Sequence, residues 1–197
     1  MINVALFGPP GAGKGTQSKK IIQKYQLTHI APGDLLREQI NLKTALGYQA
    51  AKYINEGKLA PNALVIDIVE SQLIAKKGLF GFLFDGFPRT TIQAKALEEM
   101  LAGYHMHIDA VIFLEVPEQE LIRRIKDRAK VAGRVDDQDE VKIATRMRVY
   151  HDETLPVAAY YAQQNKLFKV HGLGTVDAIF DRIVATIDNL TTMPTLK

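Results

Sequence analysis

Apolar and polar positions alternate in blocks along this 197-residue chain. Four apolar runs stand out: INVALF (2–7), FLFD (82–85), AVIFLE (110–115) and LFKV (167–170), with a weaker fifth, LTHIA, at 27–31. Their length and continuity suit strands buried on both faces, because a strand with one wet face alternates apolar and polar residues. Between them lie stretches with helical spacing at 14–25, over a longer region 33–75, and at 90–102, 117–129, 138–163 and 175–189. Strands alternating with helices predict an α/β fold: a five-stranded parallel sheet with helices on both faces.

The interval from 33 to 80 is too long for one crossover helix. It predicts a helical insertion with an internal turn at NEGKLAPN (55–62). APGDLLREQ (31–39) reads as a helix start with Gly33 or Asp34 near the cap and Arg37 in the first turn. KVAGRVDDQD (130–139) reads as an irregular break that puts Gly133 and Arg134 on a loop, and the tail TTMPTLK (191–197) has no periodicity and is expected to fray.

Composition narrows the function classes. No run of 18 apolar residues exists, so no membrane span is expected, and the opening INVALF reads as a strand rather than a targeting leader. The absence of cysteine removes disulfides and cysteine zinc sites and fits a reducing compartment such as the cytoplasm. A net charge of +3 is too small to argue for nucleic acid, but the arginines are uneven. Six of nine (Arg123, Arg124, Arg128, Arg134, Arg146, Arg148) fall within 26 residues. A guanidinium fork fits phosphate oxygens, so the cluster suggests a polyanionic substrate, the alternative being a solvated helix face with i,i+4 pairs. A nucleic-acid patch is the weaker reading, because Asp136, Asp137 and Asp139 interrupt the basic run and no stacking aromatics accompany it.

The chemistry-bearing motif is FGPPGAGKGTQ (7–17), which follows a strand and opens a helix. Gly8, Gly11, Gly13 and Gly15 permit close backbone approach to phosphate oxygens at a helix N-terminus, and Lys14 reaches the β- and γ-phosphates of a nucleotide. Where the generic motif has Ser or Thr after the lysine this chain has Gly15, with a hydroxyl one residue later at Thr16. FLFDGFPR (82–89) is second. An aspartate ending a strand beside such a loop holds Mg²⁺ directly or through water, and Asp85 fits that role. Gly86-Phe87-Pro88 then makes a stiff turn that delivers Arg89, with Gln93 on the same helix face four residues on. His105 and His107 read as loop surface rather than a metal pair.

Together, GPPGAGKGTQ, GDLLR, EGKL, DGFPRT...Q, R-x4-GRVDD and G-x-VDAIF resemble, in order, the motifs of adenylate kinases among the nucleoside-monophosphate kinases, over nearly the whole chain from Ile2 to about Leu190. The resemblance implies a P-loop NTPase fold in one nucleoside-monophosphate kinase domain (1–197), with an NMP-binding insertion at 33–62 and a short lid at about 128–139. It implies Mg²⁺-dependent transfer of the ATP γ-phosphoryl group to AMP with lid closure, no zinc, and a monomeric state. Glycine after the lysine is this family's form, so the loop is intact. By the same resemblance Gly11, Ala12, Gly13, Lys14, Gly15, Thr16, Arg128 and Gly174 bind ATP. Pro32, Arg37, Lys58, Leu59, Ala60, Gly86, Phe87, Pro88, Arg89, Gln93, Arg134 and Arg146 hold AMP. Lys14, Arg89, Arg128, Arg134 and Arg146 surround the transferring group. The spacing from Arg134 to Arg146 is one residue longer than usual, which leaves Arg148 a competitor for the last role.

One departure concerns the acceptor base. The family reads S-T-G-D where this chain has Ala31-Pro32-Gly33-Asp34, so a threonine hydroxyl is replaced by a residue with no side-chain donor and no N–H. One such hydrogen bond is worth about 0.5–1.5 kcal/mol, which predicts a raised AMP KM or looser base selectivity. UMP/CMP kinases carry an Asn-containing stretch after the GFPR arginine where this chain has TTIQ, and Gln93 favours adenine. An acceptor-independent ATPase is the other alternative, and a GTPase switch lacks its N-K-x-D element here.

Overall fold

The computed structural model describes residues 1–76, 80–132, 135–137 and 139–192. Among them, strands β1 (Val4–Phe7), β2 (Thr28–Ile30), β3 (Phe82–Asp85), β4 (Ala110–Glu115) and β5 (Leu167–His171) form one sheet in the order β2-β3-β1-β4-β5. Every pairing is parallel. The strands stand where the apolar runs predict them. β1 begins two residues late because Asn3 is used as a buried polar staple. Its side chain accepts from Phe82 N–H at 3.1 Å and donates to the His107 carbonyl at 2.9 Å, while its own N–H bonds Asp109.

The helices are α1 (Lys14–Tyr25), α2 (Pro32–Asn41), α3 (Ala45–Ile54), α4 (Asn62–Ala75), α5 (Thr91–Ala102), α6 (Glu118–Ala132), α7 (Glu140–Val149), α8 (Leu155–Ala162) and α9 (Val176–Thr192). Successive strand residues face opposite ways. Val4, Leu6, Leu83, Ile112 and Leu114 join Ile21 of α1, Leu121 of α6 and Ile183 of α9 in one core. Ala5, Phe7, Phe82, Phe84 and Val111 join Val69 of α4, Leu97 of α5 and Tyr161 of α8 in the other. Each fully buried Leu or Phe contributes about 1.5–3 kcal/mol of transfer free energy, so two such layers hold the sheet rigid beneath whatever its strand ends carry.

Three details differ from the sequence expectation. α2 opens at Pro32 with Ala31 as its cap, not at Gly33 or Asp34. Proline suits the first helical position because the missing N–H has no intrahelical partner there. α6 runs to Ala132, past the expected break at 130, because Ala129 to Ala132 contains no helix breaker. The stretch 138–163 is interrupted by a π-helical turn, Tyr150–Thr154, just before Pro156. Pro156 cannot donate to the carbonyl four residues back, and the turn widens so that Leu155 N–H reaches the Tyr150 carbonyl instead. Gly133, Arg134, Gln138 and residues 193–197 lie outside the described residues. No helix among the described residues is long and apolar enough to cross a membrane.

β1 is flanked by β3 and β4, and the chain leaves it through α1 to one side and returns from β3 through α5 to the other. The carboxyl end of β1 is therefore a topological switch point, where open α/β sheets bind ligands.

Candidate active site

The glycine loop occupies that switch point. Gly11 has φ +84°, and a Cβ there would lie 2.7 Å from the Leu121 carbonyl oxygen, so only glycine lets the loop rest on α6. Gly13, at φ +94°, ends the loop and starts α1 with no side-chain cap. The amides of the first turn are thus directed at the loop's concave side, where an anion is their natural partner. Lys14 stretches across the mouth, its Nζ donating to the carbonyls of Gly8 (2.7 Å) and Pro9 (3.0 Å). Burial, followed by the charge of Arg89, pulls the ammonium pKa from 10.5 down to about 7. Asp85 opposes this, while Arg146 and Arg128 add to it.

Asp85 ends β3 next to the loop. Ser18 of α1 donates to its Oδ2 at 2.7 Å, and His29 Nε2 of β2 stands 3.6 Å from the same oxygen. Burial alone would raise this carboxyl's pKa. The nearby His29, the bond from Ser18 and the Lys14 charge outweigh burial and hold it below its ordinary value. A Cβ at Gly15 would point at Asp85 Oδ2 from 3.9 Å, so the absent side chain leaves room in front of the carboxylate.

The cations converge on the cleft between the strand ends, α2 and α7. Arg89 follows the turn after β3, its Nε donating to the Gly86 carbonyl at 2.8 Å. Burial, then the charges of Arg37 and Arg146, lowers its pKa to about 10. Arg146 of α7 pairs with Asp136 at 2.9 Å and with Asp137, yet burial still lowers its pKa. Arg37 of α2 pairs with Asp34 at 2.7 Å. Depressed pKa values on neighbouring cations describe a positive field waiting for negative charge.

The cleft gathers most of the expected residues: Lys14, Pro32, Arg37, Lys58, Leu59, Ala60, Gly86, Pro88, Arg89, Gln93 and Arg146 all line it. Gly57 lies there too. Its φ of +75° and a virtual Cβ 2.8 Å from the Lys142 carbonyl oxygen show why the turn after α3 can press on α7. Phe87 is different, because it is buried among Phe84 and the core and does not line the cleft. Arg148 is exposed, whereas Arg146 faces the cleft. Arg128 of α6 is bonded through Nε and a terminal nitrogen to Asp137 at 2.7 and 2.9 Å. Gly11, Ala12, Gly13, Gly15 and Thr16 lie on the loop and the first turn of α1. Gly174 sits in the loop before α9, which Gln17 ties to α1 through the Val176 carbonyl. Arg134, assigned to the lid, lies outside the described residues.

Several site neighbours escape the sequence reading. Arg124 of α6 donates to the carbonyls of Ala12 (3.5 Å) and Gly172 (3.0 Å), joining the glycine loop to the loop before α9. Its sequence signals are membership of the arginine cluster and a position four residues before Arg128 on the same helix face, and neither assigns it a role. Asp136 and Asp137 read as interruptions of a basic run, but both are buried counter-ions of the arginines. Asn62 and Ser18 lie in no recognisable motif, and each holds a site residue. His107 is an exposed partner of Asp109 at 3.0 Å, consistent with a surface reading of the His105 and His107 pair.

A family model described as adenylate kinase matches residues 6–166. Among curated proteins, the chain is similar to the adenylate kinase of Phocaeicola vulgatus, at 46% identity over 190 residues that cover 96% of this chain and 100% of the relative. The adenylate kinases of Parabacteroides distasonis and Flavobacterium psychrophilum match at 45% and 44% identity, again over 96% of this chain and 100% of each relative.

Proposed function

This chain belongs to the adenylate kinase family, and on that premise we propose how its residues divide the work of moving a phosphoryl group from ATP to AMP. The reaction is reversible transfer of the γ-phosphoryl group to the AMP phosphate, giving two ADP. An AMP phosphate oxygen forms the new bond to phosphorus as the bond to the ADP oxygen breaks. The nucleophile is already anionic, so no general base is required, and catalysis rests on positioning and charge.

The observation that carries the assignment of roles is the convergence of Lys14, Arg89 and Arg146 on one buried cleft, their pKa values lowered by burial and mutual repulsion. Lys14 and the first-turn amides of α1 receive the donor phosphates. Arg37 and Arg89 receive the AMP phosphate, and Arg146 with Arg128 stands over the group in transit. Pro32, Gln93 and the segment Lys58 to Ala60 surround the acceptor nucleoside. An ionised Asp85 with open space before it suits a hydrated Mg²⁺, held through water by Asp85. When bound, that ion supplies charge compensation on the donor phosphates.

Residues 33–62 act as the AMP-binding insertion and 128–139 as a short lid. Closure of both over bound nucleotides excludes water from the γ-phosphate. The absence of cysteine suits a reducing compartment such as the cytoplasm, and membership of the family suits a monomer.

The test of the arginine roles is a pair of variants. Arg146→Ala lowers kcat/KM by about 10²–10³ as a charged contact to the transition state is lost, whereas Arg148→Ala stays within about twofold. Equal losses in both variants would contradict the assignment of Arg146.

A further inference from the structure

We propose that Asn62 is a specificity-determining positioning residue, whose side-chain carbonyl fixes the orientation of the Gln93 carboxamide and so makes the acceptor site read adenine rather than a 6-oxopurine. The proposal rests on the reading that Gln93 faces the acceptor base.

Gln93 lines the cleft, yet its residue is only 2% exposed. Both ends of its carboxamide are engaged. Oε1 accepts from the backbone N–H of Arg89 at 2.8 Å, and Nε2 donates to Asn62 Oδ1 at 2.9 Å. Asn62 is oriented in turn. Thr90 Oγ accepts from Gln93 N–H at 3.2 Å and donates to the same Asn62 oxygen at 3.0 Å. The Arg89 N–H cannot reverse, so it holds Oε1 toward itself, and Asn62 Oδ1 receives the Nε2 hydrogen at the other end.

A carboxamide turned over by 180° would set Nε2 against Arg89 N–H, two donors, and Oε1 against Asn62 Oδ1, two acceptors. Unpaired buried polar groups are costly, so the turned form is excluded. Gln93 therefore keeps one hydrogen on Nε2 and one lone pair on Oε1 for a ligand, in a fixed order. Adenine offers an acceptor at N1 and a donor at N6, which match that order. Hypoxanthine and guanine offer a donor at N1 and an acceptor at O6, which would need the turned carboxamide. A site built to hydrogen-bond one pattern rejects its reverse strongly. With Pro32 contributing no hydroxyl to the base, the carboxamide order carries more of the selectivity in this chain.

The experiment compares kcat/KM for AMP and IMP, which differ at this base edge, with saturating MgATP. Asn62 is the first residue of α4, where alanine is a good helix former, so Asn62→Ala is expected to fold. In this variant only the Arg89 N–H still opposes the turned carboxamide, so the penalty on turning is reduced and the AMP to IMP ratio narrows by about 3- to 10-fold, with the ATP KM unchanged. Asn62→Asp, which accepts the same two bonds, keeps the ratio near that of the parent protein. A folded N62A enzyme with an unchanged ratio overturns the proposal, as does an equal fall for AMP and IMP. Gln93→Leu separates the two levels of the argument. If it leaves the ratio intact, the base-facing reading of Gln93 is itself wrong. If it collapses the ratio while N62A does not, only the orientation role of Asn62 fails.

Discussion

Asp137 anchors both Arg128 and Arg146, and replacing it with asparagine probes the site's electrostatic frame. Its side chain is fully buried and accepts two bonds from Arg128 of α6 and one from Arg146 of α7. D137N keeps the shape but presents an N–H₂ to guanidinium donors. Breaking a buried charge pair by removing one partner costs about 3–5 kcal/mol. Two features reduce that figure here. Arg128 keeps 31% of its side chain in solvent, and Asp136 remains 2.9 Å from Arg146. The expected loss is therefore about 2–3 kcal/mol, or about 4–12 °C in Tm for a chain of this size. Urea unfolding of parent and variant at pH 7 measures it, with an unchanged m-value as the check that both states are comparable. The same variant should lose kcat at saturating nucleotides by about tenfold or more, since the two guanidiniums are no longer held in register. Stability within about 0.5 kcal/mol of the parent would rule out Asp137 as a buried charge anchor, because that is the range of an ordinary surface substitution.

Three further outcomes are expected. Pro32→Thr restores a hydroxyl beside the acceptor base and lowers the AMP KM by about 2- to 10-fold. It also lowers Tm by about 1–4 °C, because the pre-set proline backbone is lost. Lys14 is half-neutral near pH 7 in the free site and fully charged against phosphate, so MgATP binding takes up protons. Calorimetry in buffers of different ionisation enthalpy detects the uptake, and affinity weakens as pH rises above 7. The linked effect on folding has the opposite sense. Between pH 7 and 10.5 the unfolded chain holds more protons on this lysine than the folded one, so its contribution makes the free protein more stable as pH rises through that window. Asp85→Asn removes the ionised carboxylate facing Gly15, lowers kcat and raises the Mg²⁺ concentration needed for half-maximal rate, which a Mg²⁺ titration reads directly.

The parallel sheet was legible because strands buried on both faces must be continuous apolar runs, and FLFD and AVIFLE end within a residue of the observed strands. The glycine loop was legible because its chemistry is local: spacing, lysine and helix start lie within ten residues. Within 33–75 the turn at 55–62 between α3 and α4 was legible, but the break between α2 and α3 was not. Thr44, which caps α3 by accepting from Gly47 N–H, is an inconspicuous signal inside a long amphipathic region. Arg146 and Arg148 could not be separated by spacing, but two residues on a helix point about 200° apart, so packing had to choose one. Asp136, Asp137 and Asn62 act through partners distant in sequence or across helices. Their side chains look like solvent-facing charge or an ordinary helix start until the tertiary contacts are known.

The central claim is that this site transfers a phosphoryl group from ATP to AMP, and one assay addresses it most directly. Purified protein is given MgATP with AMP, GMP, CMP, UMP or no acceptor, and ADP formation is followed. The account predicts rapid turnover with AMP and little with the other four conditions. Comparable ADP release without any acceptor, or faster turnover with CMP or UMP than with AMP, would contradict it.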